Sequence, residues 1–307
     1  MSKNPYPGVD WLEHEKFGNG RYASVSLNNK GQVVVMHQGT RLVGIPNLHY
    51  IVGQVKGRRI EWGKDYERED GSFVSVSVND RGQVVEVHQG NNGGFELWCR
   101  VGQLQDFKID WASGHKIETE HGGKRPSVCL TNDGDVLLVY ESYLHRNLYS
   151  CLGRLRDAEV DWAGHRHYDD GMRPSASMNG KGHIVEAHDT SSRVSYAQWY
   201  RVGNRDGKKV EWGHGHEFDV GLGIEVSVAG SNVIQVHSGE MSSKLWYRTG
   251  HLVEEKHQVL WGHGHHYADG MDADVCANKD DAIVTVYNTP SHSGTELIYM
   301  LGRFVDG

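Results

Sequence analysis

The sequence predicts an all-β fold, a six-bladed β-propeller, because three features each recur six times in its 307 residues. They are a tryptophan after an apolar–variable pair, a short Ser/Val segment, and a glycine that closes a strand. The tryptophans, 49–51 residues apart, are Trp11, Trp62, Trp111, Trp162, Trp212 and Trp261. The segments begin at Ser24, Ser75, Ser127, Ser175, Glu225 and Asp274, and the glycines are Gly53, Gly102, Gly153, Gly203, Gly250 and Gly302. A period of about 50 residues is typical of propeller blades.

Four segments of each repeat have the composition of strands. In the second copy they are FVSVSVN (strand A), QVVEVHQ (B), ELWCRVG (C) and KIDW (D). Short polar turns such as NDRG join A to B, and the 3.6-residue apolar spacing of helical repeats is absent. We therefore expect four antiparallel strands per blade. The expected blades, within a single domain that spans 1–307, are 21–63, 72–112, 125–163, 173–213, 223–262 and 272–303 plus 8–12.

The two ends of the chain complement each other. The chain begins with a D strand, VDW, that has no A, B or C before it, and it ends with A, B and C of a sixth copy. The first strand is therefore expected to complete the last blade. Such closure would join the termini and remove the open sheet edges of an incomplete ring.

The composition bounds the possible functions. Hydrophobic residues make up 37% and charged residues 23%, as in globular proteins, and the net charge is -8. The negative charge argues against a nucleic-acid partner and gives no reason for attraction to an anionic membrane. No apolar stretch is long enough to span a bilayer, and the first residues lack the core of a signal peptide. We therefore expect no membrane insertion and, by default, a cytoplasmic location, with non-classical release as the alternative. The sequence does not predict the oligomeric state.

The alternation of strand directions predicts which features share a face. The end of B, the start of C and the long D–A loops should lie together, and binding usually occurs on such loop-rich faces. In strand B, Glu86 and His88 share one side, as do Glu186 and His188 in the fourth copy. We expect this polar ladder to lie between blades, where each unpaired group would cost about 1–3 kcal/mol.

Two positions in each repeat are candidate ligand contacts. Strand B ends in an aromatic polar ring, and strand C holds another ring four residues before its closing glycine. The B-strand rings are His37, His88, Tyr140, His188, His237 and Tyr287, and the C-strand residues are His49, Trp98, Tyr149, Trp199, Trp246 and Ile298. An aromatic platform beside polar groups suits a sugar, and copies two, four and five, which combine His with Trp, should form the best sites. The alternatives are an interblade hydrogen-bond node for the B-strand rings and packing for the C-strand rings, whereas the D-strand tryptophans are expected to be packing anchors.

The predicted D–A loops are rich in histidine. His216 and His265 are additional candidate sugar contacts. We expect no specific metal site and no cofactor, because Cys-X-X-Cys and His-Glu-X-X-His are absent and the His-X-His motif recurs in loops far apart on a ring.

The even distribution of these features favours a binding protein over an enzyme. Catalysis needs an asymmetric set of groups at one centre, and a glycosidase needs a pair of carboxylates. No such set stands out, so no catalytic residue is predicted. Repeated equivalent sites suit multivalent binding, in which avidity raises a weak affinity by about 10²–10⁴.

The repeat, written PSVSxNxxGxVVEVH…LWYRVG…IEWGxGxxYDxG, resembles the propeller repeats of bacterial and fungal lectin-type proteins over essentially the whole chain. The resemblance implies sugar pockets between adjacent blades, with Trp98, Trp199, Trp246 and the B-strand histidines at the binding positions. The expected function is that of a multivalent lectin whose partners are glycans. A protein-interaction propeller, with one continuous apolar or charged patch, is an alternative. A glycoside hydrolase, with a deep central cleft and a carboxylate pair, is another.

Overall fold

A computed structural model describes residues 6–39, 46–90, 95–119, 121–192, 195–291 and 294–306. Within these ranges 30 strands form six antiparallel sheets, and a 3₁₀ turn spans Glu254–Lys256. No helix in the described ranges is long and apolar enough to cross a membrane. The chain is thus an all-β, six-bladed propeller, as predicted.

Each blade runs from strand A, beside a central cavity, outwards to strand D. The chain begins with β1 (Gly8–Trp11) and β2 (Glu15–Asn19). Blade one comprises β3 (Arg21–Leu27), β4 (Gln32–Gln38), β5 (Asn47–Lys56), β6 (Arg59–Trp62) and β7 (Tyr66–Asp70). Blade two comprises β8 (Ser72–Val78), β9 (Gln83–Gln89), β10 (Leu97–Gln105), β11 (Lys108–Trp111) and β12 (His115–Ile117). Blade three comprises β13 (Gly123–Leu130), β14 (Asp135–Ser142), β15 (Asn147–Arg156), β16 (Glu159–Trp162) and β17 (Arg166–Asp170).

The remaining three blades repeat this order. Blade four comprises β18 (Met172–Met178), β19 (His183–Asp189), β20 (Ala197–Asp206), β21 (Lys209–Trp212) and β22 (His216–Val220). Blade five comprises β23 (Leu222–Ala229), β24 (Asn232–Ser238), β25 (Lys244–Val253), β26 (Gln258–Trp261) and β27 (His265–Asp269). Blade six comprises β28 (Met271–Ala277), β29 (Ala282–Ser291), β30 (Gly294–Val305), and then β1 and β2. Because β1 pairs with β30, Trp11 opposite Gly302, the predicted ring closure is confirmed.

The outer edge of every blade differs from the prediction. Strand D stops at its tryptophan. After a gap of three residues the chain forms a further short strand, here called strand E, which pairs with the first half of strand C. Strand C is 9–12 residues long, whereas strand D has only four, so a free edge of C remains for E to pair with. His216 and His265, expected in loops, are therefore the first residues of β22 and β27.

The serines of strand A connect the blades around the cavity. In each case a backbone amide of one strand A donates to a side chain of the preceding strand A, which satisfies donors at the inner edge. The amides of Val76, Val128, Ala176, Val226 and Ala277 donate to Ser24, Ser75, Ser127, Ser175 and Ser227 at 2.9–3.2 Å. The Val25 amide donates to Asp274 Oδ2 at 2.8 Å and closes the circle.

The tryptophan and glycine markers form one packing feature. A Cβ on Gly302 would lie 2.6 Å from the ring of Trp11, so this position of strand C accepts only glycine beside the indole. Most of the D-strand tryptophans also stack on a ring from strand E of the preceding blade. Stacked pairs include Phe17–Trp62, Tyr168–Trp212, Phe218–Trp261 and Tyr267–Trp11, with centroids 4.5–5.5 Å apart. These tryptophans are thus anchors between blades, as predicted.

Candidate functional site

At the same end of every blade, three residues lie side by side on strands B, C and E. Directly opposite residues of antiparallel strands share one face of the sheet, with neighbouring side chains in contact. We call these sets the cross-strand rows. They are His37–His49–Glu67, His88–Trp98–Lys116, Tyr140–Tyr149–His167, His188–Trp199–Glu217, His237–Trp246–His266 and Tyr287–Ile298–Lys16. The structure therefore brings the predicted B-strand and C-strand residues together.

The inner member of each row is buried. The six B-strand rings are at most 3% exposed. Each ring lies against the glycine that precedes strand A. A Cβ on Gly171 would come within 2.5 Å of His188, and one on Gly221 within 2.3 Å of His237. A direct role of the B-strand rings in sugar binding stays a prediction.

The buried histidines have different partners. Glu86 lies 2.5 Å from His88 Nδ1, and Glu186 lies 3.1 Å from His188 Nδ1. Burial alone would lower the pKa of His188, but the Glu186 carboxylate raises it above its ordinary value, and the same holds for His88 with Glu86. His237 instead contacts the neutral Gln235, and burial lowers its pKa. The neighbouring carboxylates thus distinguish His88 and His188 from His237, whose pKa shifts in the opposite direction.

The polar ladder continues into the preceding blade. Arg201 Nε donates to Asp169 at 2.5 Å, Arg248 Nε donates to Asp219 at the same distance, and Arg100 pairs with Glu69. The predicted contacts Glu86 and Glu186 are 1% and 0% exposed, and Glu186 also accepts a hydrogen bond from Tyr168 at 2.9 Å. The expectation that the ladder pairs between blades is confirmed. The carboxylates of Glu86 and Glu186 therefore bind other groups of the protein.

Apart from the buried Ile298, the middle and outer members of the rows are accessible. Tyr149, Trp98, Trp199 and Trp246 are half-buried, and the E-strand residues beside them are exposed. The Trp246 and His266 rings meet edge to face with centroids 5.8 Å apart. His216 and His265 are placed differently, since they pair with Tyr200 and Tyr247, one residue beyond the tryptophans and hence on the opposite face. These two candidates do not join the rows of their own blades.

A cavity of about 910 Å³ lies at the centre of the ring and was not predicted as a site. At one mouth of the cavity, one residue near the start of each strand A adopts a left-handed conformation. It lies two residues after the glycine that contacts the B-strand ring. These residues are Tyr22, Phe73, Arg125, Arg173, Gly223 and Asp272, with φ between +48° and +66°. The register of A with B shifts at this point in every blade, and such bulges redirect a side chain. In the sequence, this position is recognisable because its residue type differs between copies that are otherwise similar.

The mouth of the cavity is chemically asymmetric. Arg125 lies over the ring of Phe73 at 4.8 Å and has no ion-pair partner among the described residues. Burial lowers the pKa of Arg125, and the nearby Arg173 adds to this effect. Arg173 is bound to the buried Asp189 at 3.0 Å, and burial raises the pKa of Asp272.

Two carboxyl groups lie deeper in the cavity. Glu225 and Asp274 occupy neighbouring copies of a position that is serine elsewhere, and both line the cavity. Burial raises the pKa of Asp274 to about 6. Burial and the adjacent Asp274 raise that of Glu225 well above its usual range. In the sequence, EVSV and DVCA place a carboxyl group where the other four copies have serine, but no function was predicted from this difference.

A second cavity, of about 500 Å³, lies between blades six and one. It is lined by Gly18, Asn19, Gly39, Asn47, His49, Asp65 and Glu67. His49 stacks on His37 at 5.2 Å, and its Nδ1 is 3.1 Å from Asp65. Burial alone would raise the pKa of Asp65, but the imidazoles of His37 and His49 hold it well below its usual range. This interblade cavity is at copy one; the preference for copies two, four and five stays a prediction.

Comparison of the chain with known protein families and with curated proteins gives no match. Solved structures with a similar fold include a Dyadobacter fermentans protein of unknown function (TM-score 0.68, 12% identity, 97% of this chain and 100% of the other). They also include the NanB sialidase of Streptococcus pneumoniae (0.64, 10%, 98% and 70%). A third is a lectin of Aleuria aurantia in complex with α-methyl-L-fucoside (0.60, 10%, 92% and 96%). At such identities the likeness shows the fold alone, a propeller shared with both lectins and sialidases.

Proposed function

We propose that this protein binds carbohydrate at its cross-strand rows and that several blades bind at once. The observation that carries the proposal is the accessible half of the rows. Three blades present a half-buried tryptophan beside an exposed polar residue, namely Lys116, Glu217 or His266. An indole face suits the C–H face of a sugar ring, and the polar neighbour suits its hydroxyl groups. The similar folds of a lectin and a sialidase support carbohydrate as the ligand class.

A second candidate function is hydrolysis of a glycoside in the central cavity. A central cleft with a pair of carboxyl groups is the mark of a hydrolase, and the presence of Glu225 and Asp274 in the central cavity supports this candidate. Glycoside hydrolysis uses two carboxyl groups of which one stays protonated near neutral pH. The raised pKa of Glu225 suits the protonated member of such a pair. The unpaired Arg125 at the mouth would favour an acidic sugar.

A glycan array and a haemagglutination assay with the full chain test these proposals together. We expect glycan binding to fall by about tenfold or more in the triple variant Trp98→Ala, Trp199→Ala, Trp246→Ala, because loss of sites removes avidity. Phe107→Ala, an exposed aromatic at a C–D turn, is the control and should bind normally. Unchanged binding by the triple variant would refute the rows as the site. Release of free sugar that disappears in Glu225→Gln would instead identify the hydrolase.

A further inference from the structure

Blade one differs from the other blades at the interblade cavity. Its row is the one in which strand C carries a histidine, His49, opposite the B-strand histidine. It also has Asp65 three residues after the D-strand tryptophan, where the other copies have Gly or His: Gly114, His165, Gly215, Gly264 and His14. Both departures place a metal-ligating side chain at the same point. Two coincident departures from a repeat at one place indicate a local function.

The distances between these groups match those of a metal site. Asp65 Oδ1 lies 3.1 Å from His49 Nδ1, and Asp65 Oδ2 lies 3.7 Å from His37 Nε2. One ligand atom from each residue falls within 4.8 Å of the others. Ligand atoms at the usual zinc distances in a tetrahedral site are about 3.3 Å apart, and the two measured distances lie on either side of that value.

The orientation of the His37 ring suits a metal ligand. Its Nδ1 lies 3.3 Å from the Gln38 carbonyl oxygen, which can only accept a hydrogen bond, so a neutral ring that donates from Nδ1 directs its Nε2 lone pair towards Asp65. That Nε2 is buried and has no hydrogen-bond partner among the described residues. A metal-ligating histidine commonly donates its other ring N–H to a backbone carbonyl in this way. Buried polar atoms are normally satisfied, so an unpartnered nitrogen facing a carboxylate indicates a missing ligand.

We propose that His37, His49 and Asp65 form a binding site for a divalent transition metal, represented by Zn²⁺, between blades six and one. Two imidazoles and a carboxylate suit zinc and similar ions. The adjacent cavity of about 500 Å³ leaves room for water or a further ligand in the fourth position. Such an open position distinguishes this site from a closed structural one. The inference does not depend on carbohydrate binding.

A second cluster shows why blade one is preferred. Glu69, Glu86 and His88 also lie close together between blades one and two. There, however, Arg100 pairs with Glu69, and His88 pairs with Glu86 at 2.5 Å. Because the permanently charged guanidinium of Arg100 already pairs with Glu69, a metal at this cluster would have to displace a cation. No described positive side chain pairs with Asp65 apart from the two histidines themselves.

The test is metal binding by the full chain, purified without a histidine tag and stripped with a chelator. We expect calorimetry with Zn²⁺ to show one tight equivalent, and Co²⁺ to give the visible absorption bands of a tetrahedral site. His49→Ala and Asp65→Asn should each weaken Zn²⁺ binding by at least tenfold and remove the Co²⁺ bands. The Asp65 side chain is 41% exposed, so Asp65→Asn should fold normally. Zinc should raise the melting temperature of the unmodified chain but not of Asp65→Asn.

The double variant His263→Ala, His265→Ala is the matched control, because it removes exposed histidines of blade five. It should bind Zn²⁺ as tightly as the unmodified chain. The proposal is overturned if no stoichiometric binding occurs, if Asp65→Asn binds unchanged, or if the control variant is the one that loses binding. Glycan binding measured on chelator-stripped protein keeps this test separate from that of the cross-strand rows.

Discussion

At the scale of single residues, one neighbour distinguishes the pKa values of two equivalent buried histidines. His188 lies beside the carboxylate of Glu186, and His237 lies beside the amide of Gln235, in otherwise equivalent positions. The raised pKa of His188 means that its contribution to stability is fully present below about pH 6.5 and is lost as the pH rises through the folded-state value. The contribution of His237 to stability has the opposite pH dependence, because its lowered pKa makes protonation at low pH unfavourable.

The substitution Glu186→Gln gives blade four the arrangement of blade five. We expect the pKa of His188 to fall from above its ordinary value of about 6.5 to below it, because burial then outweighs the more distant Asp169, as it outweighs Asp219 at His237. The Gln side-chain oxygen should still accept the hydrogen bond from Tyr168. NMR titration of the imidazole protons measures this shift, with His237 as the internal reference. An unchanged pKa of His188 would show that Glu186 is not its cause.

At the scale of the strand, the blades pack closely because glycine residues on one strand leave space for aromatic rings from another strand. Strands A to D were predicted correctly, since their alternating Val, Ser and aromatic residues match a half-buried sheet. Strand E was missed. Its residues are exposed or half-buried and mostly polar, as in HEFDV, and it pairs only because strand C extends beyond strand D. No local pattern in the sequence carries that information.

Replacement of the C-strand glycine tests this packing. The added Cβ of Gly203→Ala would lie 2.7 Å from the Trp212 ring and 2.8 Å from Val210. We expect a loss of about 1–3 kcal/mol in the free energy of unfolding, because both neighbours are held within the blade. Unfolding in denaturant measures this loss of stability. Gly164→Ala, where no atom lies within 4 Å of the new Cβ, is the control and should change stability by less than about 0.5 kcal/mol.

At the scale of the whole molecule, the ring is closed by two independent devices. Near the cavity, side chains of strand A accept amides from the next blade, and Asp274 completes the circle at Val25. At the rim, β1 pairs with β30 and places Trp11 on Tyr267 of blade five. Closure removes the open edges that would otherwise pair with another chain.

Deletion of residues 1–12 removes the rim closure and leaves the inner circle intact. We expect the melting temperature to fall by roughly 5–15 °C, since the loss includes a half-buried tryptophan and one strand pairing. The exposed edge of β30 should also promote self-association, detectable by light scattering after gel filtration. A chain that lacks only residues 1–5 keeps β1 and is the control. If both deletions melt like the full chain, the rim closure does not stabilise the ring.

The sequence by itself determined the number of blades, the four principal strands and the closure of the ring. These follow from a period and an alternation that are visible along the chain. Only the tertiary structure decided which groups are accessible. It buried the B-strand rings, placed His216 and His265 on the face of the sheet that is opposite to the tryptophans, and assembled the central cavity. It also brought Asp65 between His37 and His49. Such relations depend on distances between residues far apart in the chain, and repeat spacing carries no information about those distances.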